Sequence, residues 1–343
     1  MYASTGRITI HNGGAAMKKP YKVVITDHDY PDLDQERKVF GAIGVEFVAG
    51  QCRDEDAVIA LARDADALLN EYAKLTPKVI EALENCKIIV RYGIGVDNVN
   101  IPAATKAGIM VCNVPTYGIH EVSDHVVGLF FSSIRKIPAM SETVKKGRWD
   151  CNLGRPIYRI HRKTLGIAGF GNIARMVVQK LAPWNIKVLG YDPFISESVF
   201  KSHGVEKTSF EQLLNESDFV SAHVPHTAET FHMFSYERFK QMKRGAIFIN
   251  TARGPLVDED GLYRALQEGW LAGAALDVME KEPPDPGHPL LSLPNVIITP
   301  HMAWYSVESA VDLQRMAAEE VARVLKGEEP LWCLNREVRN RKQ

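Results

Sequence analysis

The sequence predicts an α/β protein of two doubly wound parallel-sheet domains joined by long hinge helices. Short β-rich runs alternate with amphipathic helical patterns along most of the chain, which is the signature of βαβ units. That series occurs twice, on either side of one long helical stretch. A length of 343 residues suits two domains of roughly 150 residues each.

The elements follow in order. Residues 1–16, MYASTGRITIHNGGAA, lack a hydrophobic signal core and are expected to form a flexible extension, with Met17 before Lys18-Lys19 as a candidate start. Strands are expected over 23–27, 45–49, 67–70, 88–92 and 110–114, with amphipathic segments such as 54–63 and 77–85 between them. Residues 118–137 read as one long helix with Val122, Val126, Leu129, Phe130 and Ile134 at helical spacing. A second strand series is expected over 166–169, 188–192, 219–224, 246–250, 274–278 and 296–299. Within it Asp258 reads as an N-cap leading into Leu262, Leu266 and then Gly269. Residues 306–325 read as a final long helix that lets the chain return to its first domain. The expected division is 17–114 with 312–343 as one domain and 115–311 as the other. The basic ending, Arg336, Arg339, Arg341 and Lys342, reads as a solvated tail.

Composition narrows the function classes. With 41 basic against 42 acidic residues, the formal charge of -1 argues against a general electrostatic hold on nucleic acid or an anionic membrane. No apolar run approaches the roughly 20 residues of a membrane span. The cysteines, Cys52, Cys86, Cys112, Cys151 and Cys333, are scattered, odd in number and without CxxC spacing. A disulfide framework or a zinc site is therefore not expected, no metal is expected, and a reducing cytoplasm fits.

The strongest local signal is TLGIAGFGNIARMVVQKL. Gly169-Phe170-Gly171-Asn172-Ile173-Ala174 follows a strand directly and opens a helix with Ile173, Val177, Val178 and Leu181 on one face. Gly169 would permit the tight turn, and Gly171 would let backbone N–H groups approach a pyrophosphate at the helix N-terminus. Ala174, at the third position, still permits close helix–strand packing. Asp192 ends the next strand 21 residues beyond Gly171, where an acid binds a ribose 2′-hydroxyl and repels a 2′-phosphate. Together these favour NAD(H) over NADP(H), although Arg175 stands where a cation could meet that phosphate.

Three side chains stand beyond the ends of later strands: Arg253, Glu282 and His301. Taken singly each has an ordinary reading, since Arg253 could pair with Asp258 or Glu259, Glu282 could be solvated and His301 structural. Ligands of open α/β sheets, however, bind beyond the carboxyl ends of strands. Reduction of a 2-oxo acid needs a cation for the carboxylate, a proton donor for the ketone oxygen, and a hydride. Arg253 offers a planar bidentate fork, His301 exchanges a proton near neutrality, and Glu282 would bond its other ring nitrogen and favour imidazolium.

Five ordered motifs then support a resemblance. GFGNIA, YDP with Asp192, INTARGPLVDE, ALDVMEKEP and TPHMAWYS resemble the D-isomer-specific 2-hydroxyacid dehydrogenase family, as do RYGIGVDNVN over 91–100 and NVPTYGIHEVSDHVVG. The resemblance implies a flavodoxin-like substrate domain assembled from both chain ends, a Rossmann NAD-binding domain between them, and hinge closure over the substrate. It implies that Arg253 binds the substrate carboxylate, Glu282 orients the histidine and His301 is the acid/base. It further implies that the Tyr92-Gly93-Ile94 backbone faces the carboxylate. Besides the glycine-loop residues, it implies that Val224, Pro225, Thr230, Thr251, Ala252 and Asp277 approach the cofactor, and that the protein is a homodimer.

Ala303-Trp304-Tyr305-Ser306 is similar to the C-terminal-binding-protein branch of that family, which implies that Trp304 lines the substrate side-chain site. An aromatic wall favours a 2-oxo acid with an apolar or thioether side chain. The ending at 343 makes a regulatory domain, and hence phosphoglycerate as substrate, less expected, and a glutamate at 282 argues against formate oxidation. The expected activity is reversible hydride transfer at C2 of a small 2-oxo or 2-hydroxy acid. The alternative is a NAD(H)-sensing interaction protein with little turnover.

Overall fold

The structure, a computed structural model, describes residues 21–341, so the expected extension over 1–16 and the last basic residue of the tail lie outside the described residues. The chain divides into two compact units. One comprises residues through Tyr92, Asn98–Asn113 and the chain from Gln314 onward; the other comprises Gly93–Asp97 and Val114–Leu313. The unbroken first segment expected over 17–114 is therefore interrupted. Residues 93–97 group with the second unit because the Gly93 carbonyl accepts the Val114 N–H at 2.9 Å and Asp97 bonds Arg253.

In the first unit, β1 (Lys22–Ile25), β2 (Glu46–Ala49), β3 (Ala67–Asn70), β4 (Ile88–Arg91) and β5 (Met110–Cys112) form one sheet of order β2-β1-β3-β4-β5. Every pairing in it is parallel. Helices α1 (Asp34–Gly41), α2 (Glu55–Ala62), α3 (Pro77–Glu81) and α4 (Ile101–Lys106) supply the crossovers. Central strands covered on both faces read as continuous apolar runs, and Val23, Val24, Ile25, Leu68, Leu69, Ile88, Ile89 and Val90 are fully buried. The strand order reverses between β1 and β3. There the buried Asp27 carboxylate accepts the Tyr72 N–H at 2.7 Å and the Ala73 N–H at 3.2 Å, shaping the loop that follows β3.

In the second unit the sheet order is β12-β11-β10-β9-β6-β7-β8, from β6 (Thr164–Ala168), β7 (Lys187–Tyr191), β8 (Glu206–Lys207), β9 (Phe219–Ala222), β10 (Ala246–Asn250), β11 (Leu271–Leu276) and β12 (Val296–Ile298). All its pairings are parallel. Counted from β6, this is the doubly wound order 3-2-1-4-5-6 with one strand added. Strand β8 was not among the expected strands. Its two residues are an exposed glutamate and lysine, which carry no apolar signal but suit a short charged edge.

Helices α5 (Ile119–Arg135), α6 (Ile137–Lys145), α7 (Asn172–Leu181), α8 (Glu197–Ser202), α9 (Phe210–Glu216), α10 (Tyr236–Gln241), α11 (Glu259–Gln267) and α12 (Val307–Leu325) complete the chain. The unit boundary falls inside α12, between Leu313 and Gln314. The apolar stripe of α5 (Val126, Leu129, Phe130, Ile134) packs with Val177, Val178 and Leu181 of α7 on one sheet face, and a second core around Phe234, Phe239 and Phe248 fills another part of the unit. Asp258 caps α11 by accepting the Gly261 N–H at 3.0 Å. Among the described residues no helix is long and apolar enough to cross a membrane, and no group of three or more His, Cys, Asp or Glu could hold a metal ion.

Glu71, 3% exposed, supplies a pH test of the first unit. Burial pushes its carboxyl up to about 7, against the Asp29 N–H and the Arg91 charge that favour ionisation. A folded value above the unfolded one stabilises fully below the ordinary carboxylate range, and that stabilisation is lost as pH rises through about 7. Thermal unfolding of wild type and Glu71→Gln from pH 4 to 8 should show wild type losing up to about 3 kcal/mol relative to the variant as pH rises. Parallel curves for the two proteins would contradict the burial.

Candidate active site

In a parallel sheet every strand ends at the same edge, so the segments after β6, β7, β9, β10, β11 and β12 converge there. Each expected residue of the second unit can be located from that fact. Gly169 follows β6 with φ 91°, and a Cβ on it would sit 2.6 Å from the His223 carbonyl carbon. Glycine is needed both for that left-handed backbone and for close approach of the segment after β9, at the point where the strand order reverses. At Gly171, by contrast, a Cβ would meet nothing within 4 Å. Gly171 caps α7 without a side-chain cap hydrogen bond, so open space lies before the helix's first N–H groups.

Asp192, after β7, reaches back to this loop. Its Oδ2 accepts the Phe170 N–H at 2.9 Å and its Oδ1 accepts the Phe194 N–H at 2.9 Å. Each oxygen retains acceptor capacity for a ribose hydroxyl. Arg175 donates through Nε to the Phe170 carbonyl at 3.0 Å. The Phe170 side chain turns into the core and stacks on Phe200 at a ring separation of 4.3 Å, and its N–H and carbonyl are both bonded, so Phe170 shapes the loop from within. Asn172 is exposed and Ile173 half-buried. After β9, Val224 is buried and Pro225 exposed, and the Thr230 hydroxyl donates to the Pro225 carbonyl at 2.7 Å. After β10, the Thr251 hydroxyl is buried without a protein hydrogen bond among the described residues. Open space before α7, an acid at the next strand end and an orphaned buried hydroxyl fit a dinucleotide.

His301 Nδ1 lies 2.6 Å from Glu282 Oε2, and the other Glu282 oxygen accepts the Met279 N–H at 2.9 Å. With the Nδ1 proton directed at the carboxylate, Nε2 remains for exchange with a ligand. The His301 side chain is 42% exposed. Its backbone is left-handed at φ 51°, a conformation that costs a non-glycine residue energy and clusters at functional sites. Two acceptors hold it: the His301 N–H donates to the Asp277 carbonyl at 2.8 Å and to the Thr299 carbonyl at 3.0 Å. Burial opposes the charge on Glu282, but the His301 hydrogen bond and charge, the Met279 N–H and the Arg253 charge hold its carboxyl below the usual range.

Arg253 follows β10. Its Nε donates to Asp97 at 2.8 Å and its Nη1 to the Ala252 carbonyl at 2.6 Å. Trp304 is half-buried and packs against Tyr117 and Tyr305 at ring separations of 6.2 Å and 5.5 Å. Gly93 and Ile94 belong to the same unit as Arg253. Tyr92 belongs to the first unit; it is 1% exposed, its hydroxyl donates to Glu36 at 2.7 Å and its N–H donates to the Asn70 carbonyl at 2.8 Å, so neither donor of Tyr92 is free for the role expected of it.

The sequence did not reveal the clamping role of Asp277, nor the parts played by His125, Glu259 and Asp97. Asp277 was expected near a cofactor; its carboxylate is 1% exposed and accepts the Met302 N–H at 3.0 Å, the Ala303 N–H at 2.8 Å and the Thr299 hydroxyl. It clamps the turn that carries His301. His125 of α5 adds a contact to the Thr299 hydroxyl at 2.9 Å. Glu259 anchors both ends of the Glu282 loop, through the Glu280 N–H at 2.7 Å and His288 at 3.0 Å. Asp97 lies inside the quoted RYGIGVDNVN motif, but nothing local indicates its partner.

Fold and site together define a class: a two-unit, doubly wound α/β protein whose dinucleotide-type glycine loop shares a sheet edge with a carboxylate-held histidine and an arginine. Comparison with known proteins makes this specific. The family model "D-isomer specific 2-hydroxyacid dehydrogenase, NAD binding domain" matches residues 127–303. A glyoxylate reductase of Thermofilum pendens is 39% identical over 339 residues, 97% of this chain and 94% of that one. A D-3-phosphoglycerate dehydrogenase of Methanocaldococcus jannaschii is 38% identical over 310 residues, 90% of this chain, and this chain spans 58% of its length. The crystal structure of D-lactate dehydrogenase from Aquifex aeolicus, complexed with NAD and lactic acid, is similar with a TM-score of 0.79 and 30% identity, over 89% of this chain and 96% of that one. The chain belongs to the D-isomer-specific 2-hydroxyacid dehydrogenase family.

The depressed Glu282 value has a sign that can be checked. Stabilisation from this pairing is present above the ordinary carboxylate range and is lost only as pH falls through the lower folded value. A carbon-13 chemical-shift titration of the Glu282 carboxyl should give a midpoint below that of exposed glutamates, and His301→Ala should raise it. A midpoint above theirs in wild type would contradict the pairing.

Proposed function

We propose that the protein is an NAD(H)-dependent D-2-hydroxyacid dehydrogenase, interconverting a small 2-oxo acid and its D-2-hydroxy acid. The observation that carries this reading is the 2.6 Å His301–Glu282 contact at the same sheet edge as the glycine loop. Arg253 binds the substrate carboxylate through donors not taken by Asp97 and Ala252. Glu282 holds the His301 ring, and His301 Nε2 gives a proton to the ketone oxygen as C2 is reduced, or takes it from the hydroxyl in reverse. NADH, when bound, supplies the hydride. Gly169, Gly171, Asn172 and Ile173 would cradle its pyrophosphate, with Thr251 and Ala252 nearer the nicotinamide. Asp192 would take the ribose hydroxyls, which supports NAD(H) over NADP(H) because a carboxylate there repels a 2′-phosphate.

The names of the relatives, glyoxylate reductase and D-lactate dehydrogenase, support short 2-oxo acids. The half-buried Trp304 beside Tyr117 supports an apolar substrate side chain. All five cysteines are free, which supports a reducing compartment, the cytoplasm.

The reading is tested by following NADH oxidation with glyoxylate, hydroxypyruvate, pyruvate, phenylpyruvate and 4-methylthio-2-oxobutyrate, with NADPH in parallel. NADH should outperform NADPH. His301→Ala should lower turnover about 10²–10⁴-fold with little change in NADH affinity. Tight NADH binding with no turnover on any of these acids would favour the cofactor-sensing interaction protein.

A homodimer is part of the same proposal. No residue of α6 is buried, and Ile137, Trp149, Leu153 and Tyr158 on this segment are exposed, a surface that suits a second copy. Light scattering should give twice the monomer mass, and Trp149→Ser with Tyr158→Ser should shift it toward the monomer. A wild-type monomer at micromolar concentration would remove this part of the proposal.

A further inference from the structure

We propose that Asp97 is a positioning residue: it aims the Arg253 guanidinium so that the nitrogen left free meets an anionic carboxylate. The inference rests on the reading of Arg253 as the carboxylate-binding residue. Three observations support it. The Arg253 Nε–H donates to Asp97 Oδ2 at 2.8 Å, and Nη1 donates to the Ala252 carbonyl at 2.6 Å. A planar guanidinium tied at Nε and Nη1 has no remaining freedom of rotation, and Nη2 makes no hydrogen bond among the described residues. Gly95 stands end-on against this free nitrogen, where a Cβ would overlap the Arg253 guanidinium at Nη2. The backbone of Gly95 is not in the left-handed region, so the absence of a side chain there serves the arginine and not the turn.

The charge balance explains why an acid would be kept beside a carboxylate-binding cation. Asp97 opposes a substrate carboxylate electrostatically, so its benefit must lie in geometry. Its second oxygen faces His226 Nδ1 at 3.7 Å. Burial opposes its charge, yet the Arg253 hydrogen bond and charge outweigh that and, with His226, hold the Asp97 carboxyl below the usual range. The partnership with Arg253 is therefore ionic at neutral pH. Misplacing a clamp by about 1 Å costs on the order of 10²-fold in an oriented reaction, so orientation can outweigh the repulsion.

Asp97→Ala, Asp97→Asn, Gly95→Ala and Arg253→Ala test this with two readouts, glyoxylate turnover and oxalate binding to the NADH complex by cofactor fluorescence. Asp97→Ala should raise KM and the oxalate Kd about 10- to 100-fold, with a smaller change in kcat and unchanged NADH affinity and Tm. Asp97→Asn, which keeps an acceptor for Nε–H, should fall between wild type and Asp97→Ala. Gly95→Ala should mimic Asp97→Ala with the Asp97 carboxylate intact. In the Arg253→Ala background, Asp97→Ala should add nothing. If Arg253→Ala leaves KM and oxalate binding unchanged, the carboxylate reading of Arg253 is itself wrong. If Arg253→Ala weakens both but Asp97→Ala weakens neither, or Asp97→Ala adds its full effect without Arg253, the positioning role is overturned.

Discussion

The Asp277 carboxylate, at the end of β11, is the contact on which the reactive edge of the second unit depends. It is 1% exposed, and acceptor oxygens so removed from water must be met by hydrogen-bond donors. Here the Met302 and Ala303 N–H groups and the Thr299 hydroxyl meet it, while the Asp277 main-chain carbonyl accepts the His301 N–H. The turn is thus tied to the adjacent strand end by both the side chain and the backbone of one residue. His301 is held at φ 51° because residues on either side of it cannot relax without leaving buried acceptor oxygens unpaired. Burial converts a flexible strand-end loop into a rigid mount for an imidazole.

The same logic extends outward from that mount. Glu282 meets His301 because Glu259, at the start of α11, takes the Glu280 N–H and His288, fixing the loop at two points. Arg253 is held through Asp97 and its own preceding carbonyl. The first unit repeats the device without the chemistry. Asp27 at the end of β1 organises the loop over 71–73 through backbone N–H groups, again where the strand order reverses. Parallel sheets leave their carboxyl-end loops short of backbone partners, and a buried aspartate supplies acceptors where no further strand can.

Much of the fold was legible in the sequence because it rests on local periods. Buried parallel strands leave apolar runs and crossover helices leave 3.6-residue stripes, so β1 through β7 and β9 through β12 were readable, as was the Asp258 cap. Strand β8 was not, since its Glu206-Lys207 pair is exposed and is a strand only through its register with Leu189 and Gly190. Phe170 and Tyr92 were read through motifs and turned out to point inward, stacked on Phe200 and bonded to Glu36. A motif specifies where the backbone goes, while core volume decides where an aromatic ring goes.

The sequence by itself determined the alternation of strands and helices, the glycine loop with its downstream acid, and which side chains stand beyond the strand ends. Those features are set by residues within one βαβ unit of one another. Only the tertiary structure decided that Arg253 is oriented by Asp97, 156 residues away, that His301 meets Glu282 at 2.6 Å, and that Asp277 clamps a turn from beneath. Such contacts depend on sheet order and on which strand ends become neighbours. No local period encodes that, because it is chosen by the packing of the whole unit.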